Sequence, residues 1–184
     1  MRLFIATTFP ESVTRDIGTR VNALKSKLPP ASWVRAESQH LTFAFLGEQD
    51  EAIVDTLAPA IEGRLKGTPK FTAELRGCGF FPNPHHARVG WVGLAPEEPF
   101  MEIAAVVRDV AKHTGVELDG SEFRPHLTLM RMREGWPPAS IDLFSRTLKD
   151  YRSAPMVVDT VTLYSSRLNP GGAIHTPLRK FALA

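Results

Sequence analysis

The chain has 184 residues, 43% of them apolar and 23% charged, which suits a sizeable core built as one domain or two closely packed lobes. A formal net charge of +2 permits a phosphate-bearing ligand but lacks the clustered Lys and Arg of a protein that coats duplex nucleic acid. The single cysteine, Cys78, excludes an internal disulfide, and no apolar run nears the roughly 18 residues of a membrane helix, so the expectation is a cytoplasmic protein with no membrane partner.

In chain order, residues 2–8 read as a strand, because Pro10 and Glu11 follow too soon for a signal peptide. Those two residues open a helix to about Lys27, with Val13, Ile17, Val21 and Leu24 on one stripe; Pro29 and Pro30 end it. Trp33, Val34 and Arg35 form a short extended piece before a strand at residues 40–46, which Gly47 stops. Asp50 is placed to cap a helix from about Glu51 to Leu65, burying Ile53, Leu57 and Ile61. Residues 70–80 and 87–94 alternate as strands around a turn at 82–86, which predicts an antiparallel hairpin. Pro96 and Glu97 open a helix to His113, closed by Gly115; a strand follows at 126–130. A loop around Trp136, Pro137 and Pro138 leads to a short helix over 140–149, a strand at 155–164, a turn at Asn169-Pro170-Gly171-Gly172 and a last strand at 173–183. Short turns between strands predict antiparallel pairing and an α+β fold rather than a doubly wound parallel sheet.

One tetrapeptide occurs twice. His40-Leu41-Thr42-Phe43 and His126-Leu127-Thr128-Leu129 both read His, apolar, Thr, apolar, and both lie in short apolar runs. The composition allows about 0.05 His-Leu-Thr triplets by chance, so two copies 86 residues apart are a signal where one would not be. Side chains two apart share a strand face, so each copy sets an imidazole beside a hydroxyl. Leu41, Phe43 and Phe45, and likewise Leu127 and Leu129, are expected on the opposite, core face. Strand, helix, motif strand and helix recur in each half. The expected organisation is one domain over residues 1–184, built of two similar lobes of mainly antiparallel sheet with outer helices, each lobe giving one motif strand to a central cleft.

Two imidazoles across a cleft can act as general acid and general base near neutrality. A Thr hydroxyl beside each can donate to a nonbridging phosphate oxygen where charge gathers in the transition state. Together they make a phosphodiesterase site that needs neither metal nor cofactor. No phosphate-binding glycine loop, dinucleotide fingerprint or serine nucleophile elbow is present. Of the remaining candidates, Cys78 reads as a small buried apolar residue, and adjacent His85 and His86 point apart rather than share a metal. His113 reads as a helix end meeting the last carbonyls, and His175 as a solvent-edge strand residue, with a place in the cleft wall as its alternative.

Paired His-x-Thr-x motifs in a chain of this length resemble the two-histidine (2H) phosphoesterases, and in particular the RNA 2',3'-cyclic phosphodiesterase group, also called LigT-like or 2'-5' RNA ligase. The likeness runs from Met1-Arg2-Leu3-Phe4-Ile5-Ala6 through His40-Leu41-Thr42-Phe43-Ala44-Phe45-Leu46-Gly47 and Arg88-Val89-Gly90-Trp91-Val92-Gly93. It continues through Arg124-Pro125-His126-Leu127-Thr128-Leu129-Met130-Arg131 to His175-Thr176-Pro177-Leu178, where His175 replaces an expected Tyr. The resemblance implies a bilobal α+β fold and hydrolysis of RNA 2',3'-cyclic phosphate ends to 2'-phosphomonoesters. It makes His40 the proton donor to the departing 3' oxygen and His126 the base that activates water, with Thr42 and Thr128 on the phosphate. Arg131 matches the arginine that ends the second motif, although strand parity turns it from the cleft unless a bulge intervenes. The implied partners are RNA or nucleotides with 2',3'-cyclic phosphate ends, with no obligatory protein partner. A ligase variant would use an RNA 5'-hydroxyl in place of water; a non-catalytic nucleotide- or RNA-binding module is the alternative of a different class.

Overall fold

A computed structural model describes residues 1–184. The elements run β1 (Arg2–Thr8), α1 (Glu11–Lys25), β2 (Ser32–Trp33), β3 (His40–Glu48), α2 (Ile53–Leu65), β4 (Phe71–Phe81), β5 (Val89–Ala95), α3 (Glu98–His113), β6 (His126–Arg131), α4 (Pro138–Leu148), β7 (Met156–Val158), β8 (Thr160–Asn169) and β9 (Gly172–Ala182). The strands form two antiparallel sheets, ordered β3-β1-β8-β9 and β2-β6-β5-β4-β7, so the α+β expectation holds. The motif strands β3 and β6 lie in different sheets.

The sheets are not the two halves of the chain. β2 precedes β3 in sequence yet pairs with β6, while β8 and β9 come last and join β1. The strand expected over 155–164 is divided accordingly. β7 pairs with β4 in one sheet, β8 with β1 in the other, and the chain changes sheets at Asp159. That residue is held at the crossing: its carbonyl accepts from the Leu183 N–H at 2.7 Å and its carboxylate from the Thr160 hydroxyl at 2.8 Å. Within the run 156–164 only Asp159 is a poor strand former; it weakens the run at that point but does not by itself announce a change of sheet.

β1 is an interior strand of its sheet, with β3 on one side and β8 on the other, and Leu3, Phe4, Ile5 and Ala6 are all buried. A strand covered on both faces loses its alternation, which explains the continuous apolar start. Helices α2 and α3 pack on each other and against this sheet, joined at the surface by an Arg64–Asp109 ion pair. α1 buries the expected Val13, Ile17, Val21 and Leu24, and the Tyr151 hydroxyl donates to Asp16 on it at 2.7 Å. α2 starts later than expected, at Ile53, because Asp50 closes a turn ahead of it by accepting from the Ala52 N–H at 2.9 Å. Phe144 of α4 is fully buried, 4.9 Å from Phe80 of β4. No helix is long and apolar enough to cross a membrane.

Candidate active site

Both motif strands begin as the sequence predicts and then depart from it in the same way. In β3, His40 and Thr42 are half-buried while Leu41 and Phe43 are in the core. The ladder to β1 then pairs Ala6 with Thr42 but Ile5 with Ala44, leaving Phe43 as an extra residue. Phe43 and Ala44 are consequently both buried and the parity reverses. Phe45 was expected in the core with Leu41 and Phe43. The bulge turns it outward instead, and it lies 53% exposed on the cleft.

In β6 the ladder pairs Trp91 with Thr128 but Gly90 with Met130, so Leu129 is the extra residue at the same place in the motif. Leu129 and Met130 are both buried, and Arg131 swings to the cleft with His126 and Thr128. The bulge on which Arg131 depended is therefore present. Phe45 and Arg131 are structural counterparts, an aromatic ring in one sheet and a guanidinium in the other.

The two imidazoles are oriented alike. The Nδ1 of His40 donates to the Ser38 carbonyl at 2.8 Å, and that of His126 to the Arg124 carbonyl at 2.7 Å. A carbonyl can only accept, so in each neutral ring Nδ1 carries the proton and Nε2 is left for acid–base work. Aromatic rings back both. Phe4 and His175 lie 5.0 and 5.2 Å from His40 between centroids. Phe81 and Trp91 lie 4.8 and 6.3 Å from His126. Trp91 reaches its place only because residue 79 is glycine: a Cβ there would sit 2.3 Å from the indole. Burial pushes the His40 pKa from 6.5 down to about 4, outweighing its bond to Ser38, and the positive charges of His175, Arg131 and His126 add to the depression. Burial likewise lowers His126, with Arg131 contributing.

Between the sheets lies a cleft of about 730 Å³ that takes in His40, Thr42, His126, Thr128 and Arg131 together. Its walls carry Arg2, Arg35 and Arg131 but no carboxylate, so a mildly basic chain concentrates positive potential where an anion would bind. Thr7, Thr14 and Thr114 spend their hydroxyls on backbone carbonyls, whereas Thr42 and Thr128 present theirs to the cleft. Sequence reasoning missed Arg2, Arg35 and Phe45; His175 lies on the edge strand β9 and also lines the cleft against His40, the second of the two placements open to it from sequence. The β8–β9 ladder brings it there by pairing it with Ser166. Cys78 is a packing residue whose thiol is pushed up to about 11 by burial. His113 donates to the Asp109 carbonyl at 2.8 Å on α3, and His85 and His86 stand exposed on a short turn after β4, outside the cleft.

Comparison with known families matches residues 10–170 to the 2'-5' RNA ligase superfamily. The chain belongs to this superfamily. That agrees with the two-histidine resemblance and with the geometry just described. An RNA 2',3'-cyclic phosphodiesterase of Thermus thermophilus is 34% identical over 192 residues, covering 100% of this chain and 90% of that protein. Another of Thermotoga maritima is 30% identical over 181 residues, covering 97% and 93%. Escherichia coli LigT in complex with 3'-AMP superposes with a TM-score of 0.75 at 26% identity, covering 99% of this chain and 97% of that one. Membership of the superfamily thus extends over nearly the whole chain, from α1 to the β8–β9 turn.

Proposed function

We infer that the chain is an RNA 2',3'-cyclic phosphodiesterase that opens the cyclic ester to a 2'-phosphomonoester, with all 184 residues acting as one catalytic domain. One observation carries this reading: two imidazoles share a carboxylate-free cleft, each with Nδ1 tied to the carbonyl two residues before it and Nε2 free. His126 takes a proton from water as its oxygen attacks phosphorus. The bond from phosphorus to the 3' oxygen breaks on the far side, and the proton on Nε2 of His40 passes to that oxygen. Thr42, Thr128 and Arg131 hold the nonbridging oxygens, whose charge rises in the transition state. Replacing water by an RNA 5'-hydroxyl in the same geometry would give a 2'-5' linkage without ATP, because the cyclic ester supplies the drive.

The depressed pKa values add a requirement. Without bound phosphate both rings are neutral at neutral pH with the proton on Nδ1, so Nε2 of the acid has none to give. An anionic phosphodiester supplies the opposite charge and draws a proton onto the pair as it binds. Turnover of adenosine 2',3'-cyclic phosphate in excess EDTA tests the assignment. Formation of adenosine 2'-phosphate is the expected result; no turnover, or turnover abolished by the chelator, would overturn it.

A further inference from the structure

The motif pair accounts for one phosphate, and the sheet that carries His40 offers ground for a second. On that sheet the register sets Arg2 of β1 opposite Ser166 of β8, and Ser166 opposite His175 of β9. Residues paired across strands share a face and stand about 5 Å apart, so Arg2 and His175 flank the Ser166 hydroxyl from either side. All three line the cleft. No protein group satisfies them. Arg2 enters none of the ion pairs, and neither its guanidinium nor the Ser166 hydroxyl has a hydrogen-bond partner. Glu48, opposite Arg2 on β3, pairs instead with the N-terminal ammonium at 3.6 Å and does not line the cleft. The Nδ1 of His175 is buried with nothing to bond. A proton there would be a donor without an acceptor, so it belongs on Nε2, the nitrogen left open to the cleft. The row thus presents a guanidinium, a hydroxyl and an imidazole N–H, three donors with no carboxylate among them. It begins one ring away from the acid, since His175 lies 5.2 Å from His40.

We propose that Arg2, Ser166 and His175 form a second anion subsite that holds the phosphate on the 5' side of the terminal nucleotide, so that the cleft takes the end of an RNA strand in preference to a lone cyclic nucleoside phosphate. The inference rests on the cyclic phosphodiesterase reading, which puts the 3' oxygen at His40. In ribose the carbon that bears the 3' oxygen is bonded to the carbon that carries the 5' arm. The 5' phosphate therefore leaves the sugar on its 3' side, which is the His40 side of the cleft, where the row lies. The two subsites are then one nucleoside apart, one between the histidines and the other beyond His175. Contacts to phosphate carry no base information, so this subsite suits an RNA end of any sequence.

The test compares adenosine 2',3'-cyclic phosphate with its 5'-phosphorylated form, which adds the anion and no second base. Wild type should favour the 5'-phosphorylated ester in kcat/KM by about tenfold or more, the worth of a hydrogen bond to a charged group. Arg2→Gln should remove most of that preference. His175→Phe keeps a ring against His40 and Phe4 and should reduce it, whereas His175→Gln keeps an N–H near the Nε2 position and should retain it. Thermal unfolding checks that each variant is folded. No preference in the wild type, or a preference unchanged in folded Arg2→Gln and His175→Phe, overturns the proposal. Calorimetric binding of adenosine 2',5'-bisphosphate against adenosine 2'-phosphate reads the subsite without turnover. A wild type that hydrolyses neither ester, yet binds the bisphosphate more tightly through Arg2, would leave the subsite standing and defeat the catalytic reading. Hydrolysis of both esters alike would do the reverse.

Discussion

Acidification should weaken this fold through His40, and the size of the effect follows from the site. The ring has its ordinary pKa of 6.5 in the unfolded chain and about 4 in the folded one, chiefly because it is buried. Between those values the unfolded chain binds a proton that the folded chain refuses, so stability rises with pH through that window and is fully present above it. Going from pH 7 to pH 5 should cost about 2 kcal/mol through His40 alone. His126 and His175, both lowered by burial, act in the same direction. His40→Gln removes the titration and keeps an amide able to donate to the Ser38 carbonyl. Urea unfolding at the two pH values, in phosphate-free buffer, should show the wild-type midpoint falling by more than that of the variant, by about 1 M. Adenosine 2'-phosphate should recover part of the loss, because its charge favours the protonated ring. A variant with the same pH dependence as the wild type would refute the account of why His40 is neutral in the empty cleft.

His40→Ala and His126→Ala should each lower kcat on a 2',3'-cyclic nucleotide by about 10²–10⁴-fold, and near wild-type turnover in either would remove that residue from the chemistry. Thr42→Val and Thr128→Val keep the shape and remove the donor; each should slow turnover by as much as roughly 10²–10³-fold, and no change would make the hydroxyls structural. Arg131→Gln should raise KM about tenfold or more, because a charged phosphate contact is lost, while a KM equal to wild type would return Arg131 to the role of a surface cation. The pH profile should be bell-shaped, with the alkaline limb of kcat/KM at lower pH than that of kcat, since the first reports the empty cleft and the second the phosphate-bound one. Coincident limbs would count against proton uptake on binding.

Much of the site is legible in the sequence, because two local rules suffice for it. Strand alternation sets His40 with Thr42 and His126 with Thr128, and the repetition of that pattern marks the pair as the candidate site. The amphipathic stripe of α1 and the hairpin of β4 and β5 follow from period and turn residues in the same way. Parity stops being informative at Phe43 and Leu129. A bulge is decided by how a strand fits the register of its neighbour, β1 for one motif and β5 for the other, and neither neighbour is adjacent in sequence. For that reason Phe45 looked like core and Arg131 could not be oriented. The partition of strands between sheets is likewise tertiary: Asp159 interrupts the strand-forming run, but only the packing of two sheets around a shared cleft sends β7 and β8 to different sheets there. Burial decides the rest. The sequence supplies the imidazoles and, through residues 38 and 124, the carbonyls that orient them. Packing of the two sheets against each other buries and desolvates them, so their neutrality is a property of the folded chain alone.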